Sequence, residues 1–268
     1  MGVADWKIDC CQALAAEGVD LVPQLKQSSC FQLTAYTCLR LIALEEADSP
    51  DANFCNAENH LQINLWEDVW KSRRTQVISR IKSLAGLNRT IHARKCRSAI
   101  IDHEIAAEFL KSHHLLGTVR TKYAVGLQEQ ENLVAVATFN MRKMPSRGSA
   151  YYSAELVRTC TISGATVTGG LSKLLHYFVK TYQPDDIMTY ADKDWSDGNS
   201  YLKLGFTFVG ETPPLEFYVD PATYNRSLLN KVNLSKTGTD QEIEASLAEL
   251  GYMRVFNCGN KKYVWYIK

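Results

Sequence analysis

The chain has 268 residues, 46% hydrophobic and 22% charged, so it is longer than one average domain and shorter than two full ones; this predicts one domain plus an appendage. Its formal net charge of +1 excludes a global field that drives the protein onto nucleic acid, so any basic footprint must be local. No apolar run approaches the ~18 residues that span a bilayer, and no basic-plus-apolar leader is seen, so the expectation is a soluble cytoplasmic protein without a membrane partner.

In chain order, Asp5 to Ala16 has helical spacing. Phe31 to Glu46 is strongly apolar, and its periodicity fits either a helix or a strand pair. Asp48 to Asn59 turns polar around Pro50 and reads as a loop. Leu61 to Trp66 alternates with period two, as a strand does, and a helix follows from Val69 to Ala85, ended by Gly86 and Asn88. From Ala99 onward the order is strand, helix, strand, strand. Asp102 to Lys111 is an amphipathic helix, Tyr123 to Leu127 and Leu133 to Phe139 form a hairpin, and Ala154 to Ile162 is a central strand. A helix over Gly169 to Tyr182, a strand over Ile187 to Ala191 and a short helix over Asn199 to Leu204 come next. Strands at Phe206 to Gly210 and Phe217 to Val219 follow. The remainder reads as a helix, Asp240 to Leu250, and a hairpin of Met253 to Phe256 with Tyr263 to Ile267, turning at Asn257 to Asn260.

Eight cysteines at positions 10, 11, 30, 38, 55, 96, 160 and 258 form no CxxC pair and have no histidine at zinc-finger spacing. Reduced, mostly buried thiols are expected. A basic stretch is more distinctive. Lys71, Arg73 and Arg74 on the predicted helix are followed by Arg94, Lys95 and Arg97. They form either a solvated face or a phosphate-binding strip giving salt-sensitive, sequence-independent affinity for DNA.

Three stretches in fixed order carry a resemblance. They are the strand Glu155 to Ile162, the glycine turn Thr166-Val167-Thr168-Gly169-Gly170 running into Leu171-Ser172-Lys173, and Asn199-Ser200-Tyr201-Leu202-Lys203-Leu204-Gly205-Phe206. Together they resemble the GNAT acyltransferase superfamily. The resemblance implies an α/β (α+β) fold: a mixed, splayed β-sheet flanked by helices, over residues 98–268 with the helix-hairpin extension. Residues 1–97 would be a smaller N-terminal α/β region, basic toward its end. It implies acetyl-CoA or another acyl donor, held by Thr168, Gly169, Gly170, Ser172, Lys173 and Asn199. Glycines admit close approach to a diphosphate, and the helix start offers amides and a favourable dipole. Thr166 and Leu171 depart from the superfamily's usual turn, which starts with Gln or Arg and ends with a small residue.

A narrower likeness runs from about residue 60 to the end. Leu65-Trp66-Glu67-Asp68-Val69-Trp70, Ile91 to Cys96, Phe109 to Gly117 and Thr189 to Asn199 resemble phage endonucleases related to very-short-patch-repair nucleases. Residues 1–60 offer no aligned carboxylate cluster for magnesium, so that region reads as a degenerate nuclease. The GNAT-like part is also similar to Mom-type phage proteins, which modify adenine in DNA and are thought to use iron. That likeness marks His113, His114, Glu155, Arg158, Tyr190, Asp192 and Tyr201.

The resulting expectation is a transferase that modifies a base in DNA, phage or mobile-element type, in the host cytoplasm. His114 or Asp192 would be the base and Tyr201 the acid, with Tyr190 and Arg158 in the same cleft and iron at His114 and Asp192. Each also has a plain structural reading: His114 as a helix end, Asp192 as a turn cap, Tyr201 as core packing. Glu155 and Arg158, three apart on one strand, are expected on opposite faces. The alternatives are a non-catalytic DNA-binding accessory derived from a homing endonuclease, and an N-acetyltransferase for a small amine. The wager common to all is that two neighbouring strands part after Ile162 and Ala191.

Overall fold

The computed structural model describes residues 3–24, 29–46, 61–148, 150–229, 232 and 239–267. The loop expected over Asp48 to Asn59 lies outside the described residues. In chain order the elements are α1 (Val3–Ala16), β1 (Val22–Pro23), β2 (Cys30–Thr34), β3 (Thr37–Ile42), β4 (Leu61–Trp66), α2 (Glu67–Leu84), β5 (Arg89–His92) and β6 (Arg97–Ile100). Next come α3 (His103–His113), β7 (Tyr123–Glu129), β8 (Asn132–Lys143), β9 (Tyr152–Thr161), β10 (Ala165–Thr168), α4 (Gly170–Tyr182) and β11 (Asp186–Asp192). The last are α5 (Asn199–Leu202), β12 (Thr207–Glu211), β13 (Glu216–Val219), β14 (Arg226–Ser227), α6 (Asp240–Glu249), β15 (Met253–Phe256) and β16 (Asn260–Tyr266).

The chain forms two compact units: Met1–Val77 with Asp192–Asp197 and Thr212–Asn260, and Ile78–Ala191 with Gly198–Glu211 and Lys261–Lys268. The cut expected near residue 97 does not coincide with this division.

In the first unit, Trp6, Cys10 and Leu14 recur every four residues and bury one stripe of α1. The ambiguous run after Phe31 resolves as the antiparallel pair β2–β3, and β3 then pairs parallel with β4, Leu39 beside Ile63 and Leu41 beside Leu65. A second sheet, β14-β13-β15, shares a core of Ile42, Leu44, Trp66, Val219 and Val255. β4 forms where the sequence predicts a strand, but its burial does not alternate: Ile63 to Trp66 are all buried, Asn64 included, because Asp194 and Cys258 accept from its amide. Burying a polar group without such partners costs about 1–3 kcal/mol.

In the second unit a mixed seven-stranded sheet has the order β12-β16-β11-β9-β8-β7-β6. Alternation along its strands supplies two cores. Val125, Leu127, Ala137 and Phe139 meet Leu174, Leu175 and Phe178 of α4, with Phe139 and Phe178 stacked at 3.8 Å. Ala124 and Val136, pointing the other way, meet Ala106, Phe109 and Leu110 of α3. Asp102 caps α3 by accepting the Glu104 amide at 2.8 Å. This is the GNAT-like mixed, splayed sheet flanked by helices that the resemblance implies.

Three local expectations need correction. The predicted terminal hairpin does not form: β15 pairs with β13 and β16 with β12, so residues 257–260 carry the chain from one sheet to another instead of turning it back. The helix after Trp66 is broken at Arg73 (φ −137°, ψ 32°). Next to the break, the Ser72 hydroxyl donates to the Asp68 carbonyl one turn back, a competition that bends helices. Finally, β9 carries one extra residue: Leu156 lies beside Phe139 and Arg158 beside Thr138, leaving Val157 as a bulge. The bulge resets the alternation. Glu155 faces with Asn140 and Arg158 with Thr138, so the two share one face instead of opposing each other.

Candidate functional site

The parallel strands β9 and β11 are fastened at their base and open at their top. At the base the Asp186 carboxylate, almost wholly buried, accepts from the Ser153 hydroxyl at 2.5 Å, the Tyr151 phenol at 2.8 Å and Arg147 Nη1 at 2.7 Å. Asp185 takes the Tyr152 amide at 2.7 Å and returns its own to the Tyr152 carbonyl. Register then runs from Asp186–Ser153 to Thr189–Leu156 and stops there, while both strands continue. The Thr189 hydroxyl donates to the Leu156 carbonyl at 3.1 Å on this last rung. The parting therefore comes earlier than the Ile162 and Ala191 expected from sequence, at the rung next to the Val157 bulge.

Tyr201 stands at this rung. Its phenol is hydrogen-bonded to Thr189. Its ring packs 5.5 Å from both Phe206 and Tyr263. Burial pushes the phenol up from its ordinary value, against weaker pulls from Thr189 and Arg80. Gly198, just ahead of α5, has φ +80°, and a Cβ there would lie 2.0 Å from the Tyr263 hydroxyl. Only glycine fits.

A groove of about 590 Å³ lies along the start of α4, lined by Thr168, Gly169, Ser172, Lys173, His176, Tyr177 and Lys180 and by His92, Ala93, Arg94 and Ser98. Gly169 precedes the helix at φ +76°, and the first helical bond runs from the Lys173 amide to the Gly169 carbonyl at 3.0 Å. The amides of Gly170, Leu171 and Ser172 therefore precede the ladder and face the helix start. These amides, with the cations Arg94 and Lys180, are a donor set suited to phosphate oxygens.

Of the six residues expected to hold a donor, Thr168, Gly169, Ser172 and Lys173 line this groove. The Lys173 ammonium is directed elsewhere, donating to the carbonyls of Ala93 (2.9 Å) and Cys96. Gly170 is a packing glycine: a Cβ there would come within 2.9 Å of Val167 Cγ1. Asn199 opens α5 and is not part of the groove's lining.

The expected catalytic set is not gathered in one place. His114 ends α3, and its Nδ1 accepts the Leu116 amide at 3.0 Å. Its neighbour His113 joins Ser163 and meets Phe109 edge to face, with ring centroids 4.6 Å apart. Asp192 falls in the first unit, where Oδ1 accepts the Asp194 amide at 3.0 Å, the turn-cap reading. Tyr190 follows Thr189 on β11, so it points away from the face where Thr189 meets Tyr201; Lys262 lies 5.9 Å over its ring. Arg158 sits beside Thr138 and donates to the Val157 carbonyl. Among the described residues no group of three or more His, Cys, Asp and Glu is placed to hold a metal, so iron at His114 and Asp192 has no ligand set here.

The basic strip also divides. Lys71 binds Glu67 at 2.8 Å and the Tyr224 hydroxyl at 3.0 Å, and Arg74 grips both oxygens of Asp9. Arg73 sits at the helix break. All three belong to the first unit, whereas Arg94, Lys95 and Arg97 belong to the second and are exposed, with Arg97 bonded to Gln128.

Sequence reasoning missed Thr189, His176 and Lys180. The last two carried a signal: Ser172, His176 and Lys180 recur every four residues along one face of α4.

No protein-family profile matches this chain, and no curated protein sequence matches it. Several solved structures are similar. Arabidopsis thaliana Naa50, in complex with a CoA-based bisubstrate analogue, is 9% identical, covers 63% of this chain and 97% of its own, and has a TM-score of 0.40. Arabidopsis thaliana NAA60 with acetyl-CoA is 9% identical, with 64% and 99% covered and a TM-score of 0.37. A Bacillus subtilis acetyltransferase with CoA is 11% identical, with 65% and 100% covered and a TM-score of 0.36. The fold itself rests on the strand order and the splay described above.

Proposed function

We propose that this chain is an acyl-CoA-dependent N-acyltransferase acting on a small primary amine. The observation that carries the reading is the parting of β9 from β11 at Thr189–Leu156, with the Tyr201 phenol bonded to the same rung. A bound acyl-CoA supplies a thioester whose acyl carbon takes the amine nitrogen while the C–S bond breaks. The amides at the start of α4, with Arg94 and Lys180, hold the donor's phosphates. Tyr201, kept protonated by its burial, holds the proton that the departing sulfur requires. The proton that the amine gives up passes to solvent, because Glu155 shares the face of Asn140 and Thr138, opposite the one on which Leu156 and Thr189 meet Tyr201.

The test is calorimetric titration of the full chain with acetyl-CoA, followed by turnover on a panel of primary amines. Binding is expected, weakened by Arg94→Ala and Lys180→Ala. Tyr201→Phe should retain binding and lose about a hundredfold in kcat, the lower end of what one positioned acid supplies. Absence of any acetyl-CoA binding would sink the proposal.

A DNA base as acceptor is the second reading, favoured by the exposed cations Arg94, Lys95 and Arg97 on the same unit as the groove. Mass spectrometry of nucleosides from DNA incubated with protein and acetyl-CoA separates the two: an acylated nucleoside selects DNA, and acylated small amines alone select the first reading.

A further inference from the structure

On the α3 side of the sheet a second groove, of about 410 Å³, is lined by His103, Glu104, Ala106, Ala107, Leu110, Thr118, Val119, Arg120, Thr121 and Thr138. Three features give it a chemistry. Thr138 is 1% exposed, and its hydroxyl has no hydrogen-bond partner among the described residues. A buried hydroxyl left in that state costs stability, and native proteins seldom carry one without a reason. Glu104 on α3 and Arg120 on the segment leading into β7 are both exposed at the groove, and neither forms an ion pair with the other or with any described residue. Ala106, Ala107, Leu110 and Val119 make the rest of the lining apolar.

We infer that this groove binds a zwitterionic α-amino acid with an apolar side chain. Arg120 takes the carboxylate and Glu104 the ammonium, two opposite charges on one groove that no described residue neutralises. The aliphatic side chain lies on the alanine and leucine wall, and the Thr138 hydroxyl gains the polar partner the protein withholds. A ligand with one charge leaves either Glu104 or Arg120 unmatched, so it binds less well. A purely apolar ligand leaves both. The inference does not depend on acyl transfer: the residues are separate from the groove on α4 and from the rung of Tyr201.

The experiment is calorimetric titration of the full chain with L-leucine, with leucinol (no carboxylate) and 4-methylpentanoate (no ammonium) as controls. L-leucine is expected to bind at one site, and each control at least about tenfold more weakly, the factor that one lost charge-assisted bond commonly makes. Arg120→Gln and Glu104→Gln, both on exposed positions, should each reproduce the loss seen with the matching control. Thr138→Val keeps the shape and removes the hydroxyl. It should raise the thermal midpoint of the free protein, because the unsatisfied group is gone, while weakening L-leucine binding. A hydroxyl serving only the fold's packing would leave binding untouched. No heat or shift with millimolar L-leucine, or equal binding of all three compounds, overturns the inference. So does binding that none of the three variants reduces.

Discussion

Asp186 shows how much one side chain can fix. Its carboxylate ties Ser153, Tyr151 and Arg147 to the first rung between β9 and β11. Everything above that rung depends on the two strands starting together before they separate. Asp186→Ala removes three bonds to a buried charge and leaves the Ser153 hydroxyl without its acceptor. The expected cost is about 3 kcal/mol, read as a lower urea midpoint with unchanged slope. A loss within about 0.5 kcal/mol, the size of an ordinary surface substitution, contradicts this role. Tyr201 was legible in the sequence because a tyrosine before Gly-Phe is a recognisable spacing. Thr189 was not: a threonine in a strand is ordinary, and only the three-dimensional rung shows that its hydroxyl spans to Leu156.

Among elements, α3 couples packing to protonation. His113 closes its last turn with the ring against Phe109 and Nδ1 near the Ser163 hydroxyl. Burial lowers its pKa from the ordinary 6.5. The neutral ring is therefore favoured in the folded state, and the unfolded chain binds the proton more readily. Stability is full above pH 6.5 and drains away as pH falls through that value. Urea midpoints at pH 7.5 and pH 5.5 should show this decline, and His113→Gln should shrink it; an unchanged decline in the variant refutes the assignment. The sequence placed His113 as a helix-end residue, and that is where it lies. The element-level errors have a common physical cause. The bulge at Val157 and the break at Arg73 arise from what a neighbouring strand or a backbone carbonyl demands, and periodicity along one segment does not contain that information.

At the scale of the whole chain, the cysteines behave as the composition implies. Cys10, Cys11, Cys30, Cys38, Cys96, Cys160 and Cys258 are free thiols, while Cys55 lies outside the described residues. Cys10, Cys30, Cys96 and Cys258 are buried, and burial pushes the half-buried Cys160 up to about 12. Native protein treated with a disulfide reagent at pH 8 should leave those four unlabelled, and all eight should react in denaturant. Rapid labelling of Cys258 in native protein would contradict the buried cluster it makes with Asn64 and Asp194. The seven-stranded sheet was largely readable from the order of strand, helix and glycine turn. The division into units was not. Nothing in the composition of residues 192–197 or 212–260 shows that they return to the company of the first 77.

The passage of β15 and β16 into different sheets bears on how the protein is born. The first unit lacks its β15 edge, and the second lacks the strand lying between β11 and β12, until residues 253–266 have left the ribosome. Ordinary multidomain chains finish their leading half during synthesis. Here neither unit can complete its own sheet before that stretch is available to it.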